Sequence, residues 1–415
     1  MINLEVLKSI IVESQEHIAD IAIINRQVVI EKHANYVFTG PRRAGKTFFI
    51  YQLIQMKHAG NDDFLFVNFE DERLIEFSPG DFDLLLEAYN QLYDGKPVLY
   101  FDEVQNIPGW EKFCRRMADS NYQVYVTGSN AKMLSAEIAT TLGGRFLIKE
   151  ISPLSFNEFL QFNELVLQKH FQYTRQKTML VKHMEQYLTY GGFPESLKYN
   201  DKRSYLSNVF QKVFYGDIIA RHKLKNDFAL KMLIKKIAES VNNETSFNRI
   251  KNIINSTGIK VGTGTLIEYF NYLEDSFLVF SIKNYTSKFT ERETKKKFYF
   301  IDTGVLNLFL INQNSKLLEN AVYLALKRQL ASEIYYYKRK HETDFYIPET
   351  GQLIQVSYSV KDYQTREREL NSLKAAMKDL NINKGLIITY DEEEKITDRE
   401  YSISVLPFWK WVLKS

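Results

Sequence analysis

One cysteine in 415 residues, and the want of any long apolar run, narrow what this chain can be. Cys114 alone cannot build an intramolecular disulfide framework; it reads as a packed residue and fits a reducing cytosol. No stretch of about 18 apolar residues occurs, so no membrane span is expected. The first 20 residues lack a basic segment followed by an apolar core, so no signal peptide is expected and the reading is a cytoplasmic protein. Seven histidines are scattered without ligand spacing, which argues against a zinc site, and no serine or cysteine sits in a recognisable nucleophile motif. Net charge is small, +3, but uneven. Residues 1–150 hold 15 basic and 21 acidic residues, the remainder 39 and 30, so a polyanion would bind the later part.

What is present starts with Gly40-Pro41-Arg42-Arg43-Ala44-Gly45-Lys46-Thr47. This is G-x-x-x-x-G-K-[ST], the loop that wraps nucleotide phosphates. It lies between an apolar run, 35–39, and a helical pattern from Phe48 to Ile54, the strand–loop–helix setting such a site requires. The glycines let backbone N–H groups turn toward anionic oxygens, and the helix N-terminus adds partial positive charge there. Lys46 is expected to reach the β- and γ-phosphates of ATP, and the Thr47 hydroxyl to ligate Mg²⁺.

The pattern around the loop predicts an α/β core. An amphipathic helix is read over 3–19 and strands over 35–39, 64–68, 98–101, 122–127 and 146–150, with helical stretches between. Near-continuous apolar strands alternating with helices imply a parallel sheet covered on both faces. The run Val98-Leu99-Tyr100-Phe101-Asp102-Glu103 delivers two carboxylates at a strand's carboxyl end: Asp102 to hold the metal and Glu103 to polarise the attacking water. Ser129 and Asn130, after the strand that ends in Val126-Thr127, are the candidates for sensing the γ-phosphate. Four segments are expected in all: an ATPase core over 1–154, a helical lid or connector over 155–225, a small helical unit over 226–289, and an α/β domain over 290–415.

The ordered set of GPRRAGKT, VLYFDE, VTGSN, Gly143-Gly144-Arg145, Tyr190-Gly191-Gly192-Phe193-Pro194-Glu195 and Ile301-Asp302-Thr303-Gly304 resembles the predicted prokaryotic AAA+-type P-loop ATPases with a C-terminal domain of unknown function. The resemblance implies ATP hydrolysis, and an arginine at Arg145 that reaches the γ-phosphate in the same or a neighbouring subunit; only the second would make the protein a homo-oligomer. Residues 246–283 resemble a winged helix, and the basic stretch 283–297 extends it, so DNA, or else a docked protein, is the expected partner through 246–297. The last domain resembles restriction-endonuclease-like folds, with Glu319, Asp344, Gln355 and Ser357 in the matching order. Gln355 replaces a common glutamate and Ser357 stands where a lysine belongs, so a degenerate nuclease site is expected.

Overall fold

The computed structural model describes residues 2–58, 62–129, 136–224, 227–330, 333–397 and 400–414, and it divides into two compact units. The first comprises Met1–Ser152 with Asp275–Phe277. Its order is α1 (Leu4–Asp20), β1 (Asn35–Thr39), α2 (Lys46–Lys57), β2 (Phe64–Asn68), α3 (Phe82–Leu92), β3 (Val98–Asp102), α4 (Trp110–Asp119), β4 (Val124–Gly128), α5 (Ala136–Leu142) and β5 (Phe146–Glu150). All five strands are parallel, in the order β2-β3-β4-β1-β5. The expected sheet is therefore present, each strand within two residues of its sequence reading.

The strand sequences explain the layering. Side chains alternate across a strand with period two. Val37, Leu65, Val67, Leu99, Phe101, Val124 and Val126 face a core shared with Leu7, Leu85 and Phe113 of α1, α3 and α4. Their neighbours Tyr36, Phe38, Phe66, Tyr100 and Tyr125 face Phe49, Ile50 and Leu53 of α2. One face is thus largely aliphatic and the other a stacked aromatic layer, with the Tyr100 and Tyr125 rings 5.0 Å apart. Each fully buried large side chain contributes roughly 1.5–3 kcal/mol, so both faces hold the carboxyl ends of the strands in place. Because β1 pairs with β4 on one side and β5 on the other, the crevice beyond its carboxyl end is where a ligand sits in such sheets.

The second unit, Pro153–Glu274 with Leu278–Ser415, opens with helices α6 (Phe156–Phe162), α7 (Arg175–Tyr190), α8 (Lys202–Gln211) and α9 (Phe228–Ser240). Then come β6 (Thr245–Ser246), α10 (Phe247–Ser256), α11 (Thr263–Asp275), β7 (Val279–Asn284), α12 (Phe289–Thr294), β8 (Lys295–Phe300), α13 (Thr303–Asn307), α14 (Asn314–Gln329), β9 (Tyr335–Lys338), β10 (Glu342–Ile347) and β11 (Gln352–Val356). The chain closes with α15 (Tyr363–Leu380), β12 (Lys384–Thr389), β13 (Glu394–Thr397), β14 (Ser402–Pro407) and α16 (Phe408–Val412). The strands make one mixed sheet of nine, ordered β13-β14-β12-β11-β10-β9-β7-β8-β6.

Two sequence boundaries look different in this light. The division at 289/290 falls in the connection between β7 and β8, so it parts the two strands of one antiparallel ladder. The helices of 155–225 share a core with the sheet: Phe156 of α6 packs on Phe408, and Tyr187 and Leu206 lie in the same cluster as Phe300 and Leu318. They are built into the second unit. The glycines near 191 serve close approach. A Cβ at Gly191, where φ is +73°, would fall 2.0 Å from an Asp302 carboxylate oxygen. That carboxylate accepts from the Gly192 N–H at 2.7 Å and from the Val305 N–H at 3.0 Å, capping α13. Burial pushes the Asp302 carboxyl up to about 6, against the pull of these amides. Among the described residues no helix is long and apolar enough to cross a membrane.

Candidate functional site

The loop 40–47 runs from the carboxyl end of β1 into α2. Its backbone is left-handed at Arg43 (φ 63°) and Gly45 (φ 94°), which turns successive N–H groups to one side. Gly40 passes so close to the strand beside it that a Cβ would meet the Ile151 carbonyl oxygen at 2.2 Å. Behind the loop lies a residue that no motif marked. Arg26, buried, donates to the carbonyls of Ala44 at 2.9 Å and Ser152 at 2.8 Å, fixing the loop to the segment after β5. Its position in an irregular stretch carries no spacing signal; only a lone arginine in the sequence 21–34 hints at it.

Lys46, the first residue of α2, is buried and folds back over the loop. Its Nζ donates to the carbonyls of Gly40 at 3.2 Å and Pro41 at 3.1 Å, and lies 3.5 Å from Glu103 Oε1. Thr47 Oγ1 donates to Asp102 Oδ2 at 2.8 Å, and Thr127 Oγ1 donates to Asp102 Oδ1 at 2.5 Å. The Thr127 oxygen also accepts from the Glu103 N–H at 2.9 Å. Thr127, at the end of β4, is the second residue that sequence reasoning passed over. The signal was available, since it stands one place before the glycine that ends an apolar strand adjacent to β3.

The two carboxylates differ in environment. Asp102 is wholly buried; burial, then the charge of Glu103, pushes its carboxyl up to about 6 against the hydroxyls of Thr127 and Thr47 and the charge of Lys46. Glu103, in a left-handed backbone conformation (φ 50°), is also penalised by burial. Lys46, Gln105, Arg42 and Ser129 outweigh that and bring its carboxyl below the ordinary glutamate value. Ser129 is buried at the end of β4, and Asn130 lies outside the described residues. A hydroxyl and a carboxylate converging at 2.8 Å beside the loop are hard oxygen donors of the kind Mg²⁺ takes, and the residues fit that ion.

Residues 32–160 match the family described as AAA domain, and residues 181–316 match a domain of unknown function. Uncharacterized protein MJ1544 of Methanocaldococcus jannaschii is 38% identical over 432 residues, spanning 100% of this chain and 96% of that one. The chain belongs to the family of that archaeal protein, and it carries an AAA domain. An uncharacterized protein of Haemophilus influenzae is 29% identical over 304 residues, 71% of this chain and 74% of its own. Among solved structures, the Walker-type ATPase PABY2304 of Pyrococcus abyssi is similar over 75% of this chain and 96% of its own, at 13% identity and a TM-score of 0.42. Cdc6p of Pyrobaculum aerophilum is similar over 70% and 88%, at 13% identity and a TM-score of 0.26.

Within the AAA domain the loop, Asp102, Glu103 and Ser129 come together, and Arg145 does not join them. β1 and β5 run parallel with Asn35 opposite Phe146 and Thr39 opposite Glu150, so Arg145 stands at the amino end of the sheet. The phosphate loop leaves the carboxyl end, about 16 Å away along five residues of strand. The Arg145 side chain there pairs with Asp119 and donates to the Gly143 carbonyl at 3.0 Å. The expectation that it reaches a γ-phosphate in its own subunit is therefore corrected by strand register.

The second unit gathers its own polar cluster. Glu319 on α14 and Asp344 on β10 are both buried and meet at Lys297, a lysine of the basic stretch 283–297 expected to contact DNA. Lys297, on β8, has no exposed surface; its ammonium lies 2.8 Å from Asp344, 2.8 Å from Glu342 and 3.4 Å from Glu319. Tyr299, two residues on and so on the same side of β8, donates to Glu319 at 2.8 Å. Burial would push Lys297 down, but the three carboxylates hold its ammonium well above the usual value. Gln355 spans the Asp344 N–H and Glu369, and the Ser357 hydroxyl donates to the Ser359 carbonyl. Other members of the 283–297 patch are also engaged: Lys283 pairs with Glu293, and Arg292 donates to the carbonyls of Ser287 and Tyr285.

Proposed function

We propose that the protein is a Mg²⁺-dependent ATPase whose turnover rearranges the second unit on a bound partner. The observation that carries this reading is the Thr47–Asp102–Thr127 arrangement, with Glu103 next in sequence and facing Lys46. In the reaction the loop amides bind the phosphate oxygens. Lys46 leaves the Gly40 and Pro41 carbonyls and Glu103 for the β- and γ-phosphates. Thr47 and Asp102 would hold Mg²⁺, which would supply positive charge against the phosphate oxygens. Glu103, freed from Lys46, accepts the proton of the attacking water, and Ser129 and Asn130 flank the terminal phosphate. Arg145 acts on another copy of the chain, which makes the active form a homo-oligomer.

The partner-binding surface is assigned to 246–297, read as a winged helix, with exposed Arg249, Lys288 and Lys295 as its phosphate contacts. Its second helix, α11, carries Glu268, Glu274 and Asp275 and no basic residue, which favours backbone contact or a protein partner over base reading in a groove. A nuclease reading has one observation in its favour, since Lys297 supplies beside Glu319 and Asp344 the lysine that position 357 lacks. Metal-dependent nicking of plasmid that disappears in Asp344→Ala would establish it.

The central test is calorimetry with ATP and Mg²⁺ on wild type and Lys46→Ala, alongside ATP turnover with and without DNA at two salt concentrations. Lys46→Ala is expected to lose detectable nucleotide binding while its thermal unfolding stays near wild type. Unchanged binding in Lys46→Ala overturns the site. A DNA affinity without salt dependence, or none, leaves a protein partner as the second unit's target.

A further inference from the structure

The strand order places four loops side by side at the carboxyl edge of the first sheet. In space they follow β1, β4, β3 and β2, and they carry the phosphate loop, Ser129, Glu103 and Glu70 respectively. Arg42, in the phosphate loop, donates from Nη1 to Glu70 Oε1 at 3.0 Å. The pair therefore joins the loops that follow β1 and β2, strands three places apart in the sheet, about 14 Å by strand spacing. The Arg42 charge is also one of those felt by the Glu103 carboxylate.

The acidic end of this bridge is anchored to the catalytic strand. The Glu70 N–H is accepted by Asn68 Oδ1 at 2.9 Å, and Asn68 lies opposite Asp102 in the sheet register. The Phe69 N–H donates to the Asp102 carbonyl at 3.0 Å, and Asn106, on the turn after Glu103, donates to the Phe69 carbonyl at 3.2 Å. Glu70 and Glu103 thus sit on two turns tied together by one backbone hydrogen bond and one from the Asn106 side chain. The ion pair itself is partly exposed, with 22% of the Arg42 side chain and 47% of that of Glu70 accessible, and a pair of that kind is weak. A phosphate group offers a planar guanidinium more charge and more acceptor oxygens than one carboxylate does.

We infer that Arg42 is a residue that distinguishes a nucleoside triphosphate from a diphosphate, leaving Glu70 for the terminal phosphate and so opening the Arg42–Glu70 bridge. This rests on the ATPase reading above and deepens it. A diphosphate has no group in that position and leaves the Arg42–Glu70 pair closed, so the Glu70 turn reports which nucleotide is bound. Glu70 competes with the terminal phosphate for the same guanidinium, and removing its charge favours the triphosphate.

The test is titration of a non-hydrolysable ATP analogue and of ADP, each with Mg²⁺, into wild type, Arg42→Met, Arg42→Lys and Glu70→Gln. Arg42→Met is expected to weaken the triphosphate about tenfold or more and to leave ADP unchanged. Arg42→Lys, which keeps the charge without the fork, falls between. Glu70→Gln is expected to tighten the triphosphate severalfold with ADP unmoved. Equal weakening of both nucleotides in Arg42→Met, or a triphosphate-to-diphosphate ratio unchanged in all three variants, overturns the inference while the ATPase reading stands. A wild type that binds neither nucleotide overturns both.

Discussion

Glu103→Gln is expected to lower ATP turnover by about a thousandfold while nucleotide binding is retained. The amide keeps the size of the side chain and its hydrogen bond from Gln105, but it cannot accept a proton from water. Binding survives because Asp102, Thr47 and the loop keep their contacts. The substitution has a second, opposite consequence. The Glu103 charge is, after burial, the largest influence raising Asp102 toward about 6. Without it Asp102 ionises at lower pH, so the acid limb of nucleotide binding moves down. Wild-type binding should weaken as pH falls through about 6, and binding by Glu103→Gln should persist to more acid conditions. Phosphate release and nucleotide titration across pH 5–8 check both parts. Turnover at the wild-type rate would remove Glu103 from its role.

Lys297→Met is expected to be the most destabilising single change in the second unit. It leaves Asp344, Glu342 and Glu319 around a buried space with no ammonium between them. Breaking a buried ion cluster by removing one partner costs roughly 3–5 kcal/mol. The lower end applies here, because Glu342 keeps its pair with Lys338 at 2.8 Å, Asp344 keeps the Val356 N–H at 2.9 Å, and burial with Asp344 nearby already holds Glu319 well above the ordinary glutamate range. Denaturant unfolding measures the loss, and Lys297→Met/Asp344→Asn should recover part of it by removing a stranded charge. A single variant within about 1 kcal/mol of wild type would show that the cluster does not hold the sheet.

The first unit was far more legible in the sequence than the second, for physical reasons. Its strands are covered on both faces, so they read as unbroken apolar runs, and the glycine loop marks the exit from the first of them. Asp102 and Glu103 follow from the same pattern. Arg26 did not, because a single guanidinium takes its position through contacts distant in sequence. In the second unit Lys297 was concealed by its neighbours: Lys295 and Lys296 extend a run of basic residues, although 297 and 299 share one side of a strand. The strands β12 to β14 went unread although Ser402–Pro407 alternates with period two, since pairing β11 with β12 and β12 with β14 depends on crossovers rather than on hairpins. Arg145 shows the converse, a motif residue whose strand register sends it to the wrong end of the sheet for its own nucleotide.

The β7–β8 ladder also governs how the protein can be dissected. A fragment starting at 290 would carry β8 without β7 and β6, presenting an unpaired apolar edge through Phe298, Tyr299 and Phe300 that invites self-association. It would also lose the partner strand that sets the depth of Lys297. Any recombinant piece meant to report on the C-terminal chemistry has to begin upstream of the helices at 156, or its behaviour describes a severed sheet and not the native one.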